Sequence, residues 1–206
     1  MISRRYRSPL REERAARTRR DILEAARRRF AVQGFAATTV AEIAEEAGVS
    51  VQTVYNSVGG KSAVLLALND LIDEVAGVGA TQQRIAASED PAEIVDLAVH
   101  LRRDLMERAG DIVAMMSAGA HVDAEVAAAL ADGQARSRAG IARVAARIDA
   151  LGGLRADLDV DRAADATYAV LHYEVWMRLV GECGWTPEEF ESWCADLLRR
   201  MLLDAS

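Results

Sequence analysis

Proline occurs only three times in 206 residues, at Pro9, Pro91 and Pro187, so long stretches of the chain carry no helix breaker. Two cysteines, Cys183 and Cys194, are too few for a disulfide framework. No apolar run approaches the roughly 20 residues that span a bilayer, and Ala63 to Leu68 is typical of the longest. The basic stretch from Met1 to Arg20 lacks the apolar centre of a signal peptide, which leads us to expect a cytoplasmic protein with no membrane segment. His172, Cys183 and Cys194 would be the natural metal ligands, but no CxxC or HxxxH spacing joins them. A nucleophile elbow, a phosphate loop and HExxH are also missing, and Glu45-Glu46 reads as an exposed acid pair. We therefore expect no catalytic residue, no metal and no cofactor.

What the chain does have is about forty alanines, 51% hydrophobic residues and 28% charged ones, which implies an all-α globular protein with a core for one or two domains. The net charge of −7 argues against a polyanionic partner if taken as an average. The average hides a split: residues 1–61 carry +5 and residues 62–206 carry −12. Arg4, Arg5, Arg7, Arg11, Arg14, Arg17, Arg19 and Arg20 crowd the basic end, as a phosphate-binding arm or as a solvated tail would.

Periodicity organises that basic segment. Ile22, Ala26 and Phe30, with Leu23 beside them, give one apolar stripe on a helix from Thr18 to Gln33, closed by Gly34. Thr39 and Glu42 are spaced as a capping box before the stripe Val40, Ile43, Ala44, Ala47. Gly48 supplies a turn, and Ser50 is a good N-cap for a short third helix to about Asn56. Two short helices joined by such a turn make a helix-turn-helix. Gly59-Gly60 breaks the chain, and Lys61 opens a fourth helix with Val64, Leu65, Leu68, Leu71, Ile72 and Val75 in register.

The acidic remainder is also helical in pattern. Pro91 starts a helix carrying Ile94, Leu97, Ala98, Leu101 and Leu105, and a separate short helix is expected near Ile112 to Met116. Val122 to Leu151 reads as one long helix that Gly133 and Gly140 could interrupt. Ala163 to Val180 reads as a single helix apolar nearly all round, which must be covered on two sides. Thr186-Pro187-Glu188-Glu189 is a capping box with proline at N1, followed by the stripe Phe190, Trp193, Cys194, Leu197, Leu198, Met201 and Leu202.

The segment Thr38 to Leu65, TTVAEIAEEAGVSVQTVYNSVGGKSAVL, resembles the DNA-binding head of the TetR family of bacterial transcriptional regulators. Thr39, Ile43, Ala44, Ala47, Gly48, Val49, Ser50, Thr53, Tyr55 and Lys61 carry the resemblance. It extends back over Ile22 to Phe35, and GWTPEEFESWCADLL looks like the final helix of several members. The chain departs from the pattern at Val58, where the family usually has Phe, and at Ser62, where it usually has Glu.

The resemblance implies an N-terminal three-helix reading head, taken as residues 1–61, and a C-terminal helical effector-binding and dimerisation domain, residues 62–206, with about nine helices in all. It also implies a third helix in the major groove of double-stranded DNA. Val51, Gln52, Thr53 and Asn56 could then reach base edges, while Thr39, Tyr55 and Lys61 would hold phosphates. Arg4, Arg5 and Arg7 could enter the adjacent minor groove. Ser50 would cap more than contact; Tyr55 also fits a core tyrosine, and Thr39 a plain cap.

A TetR-like chain would be a repressor, pairing through its last two helices as a homodimer on a palindromic operator and released by a small-molecule effector. Effector candidates are the polar tips in apolar surroundings: His100, Met115, Met116, His121, Tyr168, His172 and Trp176. Met115 and Met116 fit a core equally, and His172 fits a core or dimer-interface histidine. Two other readings stay open: a DNA-binding regulator answering to a protein partner, and an all-α small-molecule-binding protein or enzyme with an incidental basic end.

Overall fold

The first helix, α1 (Pro9–Ala37), begins well before the apolar stripe because Arg, Glu and Ala are strong helix formers there. The structure, a computed structural model, describes residues 9–70, 72 and 78–204. Gly34 leaves helical geometry at φ 81°, which glycine adopts without a Cβ penalty, and the chain then completes one more turn. That kink swings Phe35 back into the core against Phe30, with ring centroids 5.5 Å apart.

Helices α2 (Val40–Glu46), α3 (Val51–Ser57) and α4 (Lys61–Asn69) follow. The expected capping box forms: Glu42 N–H donates to Thr39 Oγ1 at 3.3 Å, and Thr39 N–H donates to Glu42 Oε2 at 2.7 Å. Ser50 caps α3 by accepting from Thr53 N–H at 3.1 Å. Ile22, Ala26, Phe30, Ile43, Val64, Leu65 and Leu68 are all buried, so the stripes read from the sequence close on one another, and Val54 of α3 is buried with them. The part of the fourth stripe at Leu71 and Val75 lies outside the described residues.

Five further α-helices are described: α5 (Val78–Ala87), α6 (Pro91–Gly119), α7 (Ala124–Ala150), α8 (Val160–Val170) and α9 (Tyr173–Trp176). A π-helical segment, Met177–Glu182, and α10 (Pro187–Leu202) complete the chain. Extended pairing among the described residues is limited to an antiparallel bridge between Leu154 and Leu203. The architecture is all-α.

Three expectations are corrected. No separate helix starts near Ile112: α6 runs unbroken to Gly119, since no proline follows Pro91 within it and Gly110 alone costs only about 1 kcal/mol. Gly133 and Gly140 do not interrupt α7, where surrounding alanines carry two glycines costing about 1 kcal/mol each. The helix expected over Ala163 to Val180 is three pieces: α8 stops at Val170, His172 adopts an extended ψ of 144° and caps α9, and the π-helical turn follows.

The described contacts divide the chain into two units, Met1–Asp70 with Ala114–Leu130, and Leu71–Val113 with Ala131–Ser206. In the first, Gly119 sits where α6 ends against the head. A Cβ built there would lie 3.1 Å from Val126, 3.2 Å from Leu65 and 3.3 Å from Phe35. Asp123 accepts from Ser62 Oγ and caps α7 through the N–H groups of Glu125 and Val126. The core of the second unit gathers Ile94, Leu97, Ile148, Leu171, Trp176, Phe190 and Leu198.

Candidate nucleic-acid interface

The surface of α3 is the most informative part of the head. Val54 is its buried anchor, while Val51, Gln52, Tyr55 and Asn56 are exposed. Exposure of Val51 at 42% and Tyr55 at 52% is unusual for an apolar and an aromatic side chain in a unit that buries most of its other large apolar groups. A core role for Tyr55 is thereby ruled out; its ring lies beside Gly60, whose built Cβ would be 3.8 Å away.

The polar groups of α3 are held in order before any partner arrives. Gln52 Nε2 donates to Asn56 Oδ1 at 2.9 Å, one turn along, so two amides face outward as a pair. Thr53 is half-buried, and its hydroxyl shares a 2.8 Å hydrogen bond with Ser50 Oγ. Ser50 is thus engaged as a cap, as its position predicts. Asn and Gln amides can pair bidentately with adenine, and a valine or threonine methyl can pack on thymine.

The flanks of α3 carry the groups suited to a phosphate backbone. Thr39 is exposed at the N-terminus of α2, where partial positive charge gathers. Its hydroxyl already donates to Glu42 at 2.7 Å, and this bond is the main reason the Glu42 carboxyl stays ionised below the usual carboxylate range. Lys61 stands at the start of α4. Its ammonium donates to the carbonyls of Phe35 at 2.9 Å and Ala36 at 3.0 Å, and it lies 4.6 Å from the Phe35 ring centroid. An ammonium has three donors, so one remains for an outside acceptor.

Basic residues of α1 frame the same region. Arg11, Arg14, Arg17, Arg19 and Arg20 are exposed, and Arg19 Nη1 donates to Ser57 O at 2.9 Å, fastening α1 to the end of α3. Arg28 and Arg29 both pair with Glu46 of α2, and the Arg28 hydrogen bond leads the lowering of its pKa. The Arg19–Ser57 tie escaped sequence reasoning, because a helical arginine that caps another helix carries no local signature. Arg4, Arg5 and Arg7 lie outside the described residues.

The effector candidates scatter. His100 is exposed on α6, where Nδ1 meets Glu191 Oε1 at 2.9 Å. Met115 and Met116 are buried and belong to the first unit, as does His121, exposed and 2.8 Å from Ser117 O. Tyr168 and His172 come together in the second unit with ring centroids 5.5 Å apart. Burial is the leading cause that lowers the His172 pKa and favours the neutral ring. Trp176 is buried edge-on against Phe190 at 4.9 Å, a core contact.

Comparison with known proteins adds to this geometry. Residues 22–68 match the sequence profile described as bacterial regulatory proteins, tetR family. Over 102 residues, half of this chain, the sequence is 33% identical to the HTH-type transcriptional regulator TtgR of Pseudomonas putida. The probable regulator ArpR, also of Pseudomonas putida, is 32% identical over 102 residues, and the chain covers 46% of the length of each relative. The fold matches a Saccharomonospora viridis regulator crystallised with choline, at a TM-score of 0.76 and 21% identity, across 92% of this chain and 100% of that one. It also matches SmeT in complex with triclosan (TM-score 0.73, 21% identity, 92% and 93% of the two chains). NalD, the secondary repressor of the MexAB-OprM efflux pump in Pseudomonas aeruginosa, has a TM-score of 0.70 at 17% identity, across 93% of this chain and 100% of NalD.

Proposed function

In its head the chain is a member of the tetR family of bacterial regulatory proteins, and from that premise we propose that it is a sequence-specific, DNA-binding transcriptional repressor with no catalytic role. The observation that carries the reading is the outward face of α3: Val51, Gln52, Tyr55 and Asn56 are exposed on a short helix pinned at both ends. A buried Val54 and a Ser50 cap hold the helix while its reading face stays free, which is what insertion into a major groove requires. Gln52 and Asn56 choose bases; Thr39, Tyr55, Lys61 and the arginine arm position the head on phosphates.

One such head makes a small interface, so two copies act together on a palindromic operator, joined through the last two helices. The second unit binds a small organic effector. SmeT with triclosan and the Saccharomonospora viridis regulator with choline support this at the level of fold. Work of this kind belongs in the cytoplasm. Effector and DNA oppose each other by reciprocal coupling: a ligand that favours the splayed dimer weakens operator affinity by the factor with which operator weakens the ligand.

The test pairs two measurements. Thermal-shift screening finds the effector, since a ligand at 100 times its Kd stabilises by roughly 2.7 kcal/mol. Fluorescence anisotropy on an operator duplex then measures release. Tight ligand binding that leaves operator affinity unchanged refutes the release mechanism.

A further inference from the structure

Among the described residues, Arg102 of α6 lacks the carboxylate partner that several guanidinium groups of the second unit have, as does Arg147, which donates to the carbonyl of Ser88. Arg103 pairs with Glu107, Glu188 and Glu191; Arg138 with Asp165; Arg155 with Asp157; Arg199 with Asp96 and Asp196. Arg102 Nη2 donates instead to a neutral hydroxyl, Ser137 Oγ of α7, at 3.0 Å, and no carboxylate among the described residues reaches it. The side chain keeps a partial exposure, yet enough protein surrounds the guanidinium that burial pulls its pKa down. A cation so placed, with no counter-ion among the described residues, costs stability.

The groups that feel its charge do not supply the missing one. Tyr168 is a phenol, burial pushes the Cys194 thiol up to about 12, and burial lowers the His172 pKa. None of the three is a carboxylate, and burial favours the uncharged forms of Cys194 and His172. Nearby, Arg138 lies 4.4 Å from the Tyr168 ring centroid, so a second cation borders the same side chains.

We propose that Arg102, with Ser137, Tyr168 and His172 around it, is the recognition site for an effector that carries a carboxylate on an apolar body. A guanidinium presents parallel donors that match a carboxylate, and Ser137 keeps one edge of the fork in place. The apolar body is set by the neighbouring core, in which Met106 follows one turn along α6, Leu171 precedes His172 and Trp176 lies four residues after it. The π-helical turn after α9 is the kind of irregular helix often found beside binding sites. This inference rests on the effector-binding reading above and narrows it to one charge class.

Calorimetric titration of the full chain with sodium octanoate and sodium benzoate, each against its amide, tests it. At least one acid is expected to bind about tenfold or more tightly than its amide. Arg102→Met should abolish that preference, and Arg102→Lys should keep part of it. Acids that bind no better than amides, or a preference that survives Arg102→Met, overturn the proposal. A second readout needs no ligand: Arg102→Met should leave the thermal midpoint equal or raised, because it removes an unpaired charge. A marked drop would reveal an internal counter-ion and overturn the proposal as well. Duplex binding by the same preparation, measured separately, shows whether the regulatory reading stands when this narrower one falls.

Discussion

Replacing Lys61 with alanine should produce two separable losses. The first is stability. The ammonium closes the end of α1 through two carbonyls, at 2.9 Å and 3.0 Å, and rests over the Phe35 ring. Hydrogen bonds to a charged group contribute about 1.5–3 kcal/mol when well buried, and partial exposure brings the expected cost here to about 1–2 kcal/mol. For a chain of this length that lowers Tm by roughly 2–8 °C. The second loss is one phosphate contact per head. With about 8 phosphates neutralised per dimer, log affinity should fall with log salt at a slope near −7, and removing two contacts brings it near −5. Differential scanning calorimetry and anisotropy titrations at stepped salt read the two effects independently. Sequence preference should not change, because the lost contact is to backbone. An altered preference at unchanged salt slope would refute the role given to Lys61.

Gln52→Ala should cost about 1–3 kcal/mol of affinity at a single base pair and leave other positions alone, which a panel of single-substitution duplexes would show. Because Gln52 bonds to Asn56, the double variant should deviate from additivity, and strict additivity would mean that the amide pair is idle. Gly119→Ala forces a Cβ into contacts of 3.1–3.3 Å with Val126, Leu65 and Phe35, and denaturant unfolding should show a loss of about 1–3 kcal/mol. The Glu42 and Asp123 carboxyls are both held below their ordinary values of 4.5 and 3.8, chiefly by Thr39 and by Ser62. A depressed folded-state pKa stabilises above the unfolded value, and that contribution disappears as pH falls through the folded value. Ser62→Ala should therefore weaken the dependence of stability on pH below about pH 4; an unchanged acid limb would remove Asp123 from the account.

Most of the head could be read in advance because its signals are local. The Thr39–Glu42 box, the Ser50 cap and the glycine turn each act within a few residues, and the stripes at Ile22, Ile43 and Val64 report burial directly. What went unread depends on distant partners. Arg19 finds Ser57, Lys61 finds the end of α1, and Ser62, which departs from the usual glutamate, finds Asp123 sixty-one residues away. The break at His172 was hidden for another reason: apolar periodicity continues through it, and only the extended ψ and the π-helical turn reveal the interruption. In the second unit, hydrophobic periodicity located Tyr168 and His172 but passed over Arg102. A charged residue on a helix reads as solvated until its neighbours in space are known.

The claim on which the rest depends is that two copies of α3 read one duplex. Selection of bound fragments from a random duplex pool at low ionic strength, followed by sedimentation of the complex, addresses it directly. The account predicts an inverted repeat whose half-sites lie about 34–36 Å apart or a multiple of that, occupied by paired chains. A chain that stays monomeric and enriches no duplex would contradict it.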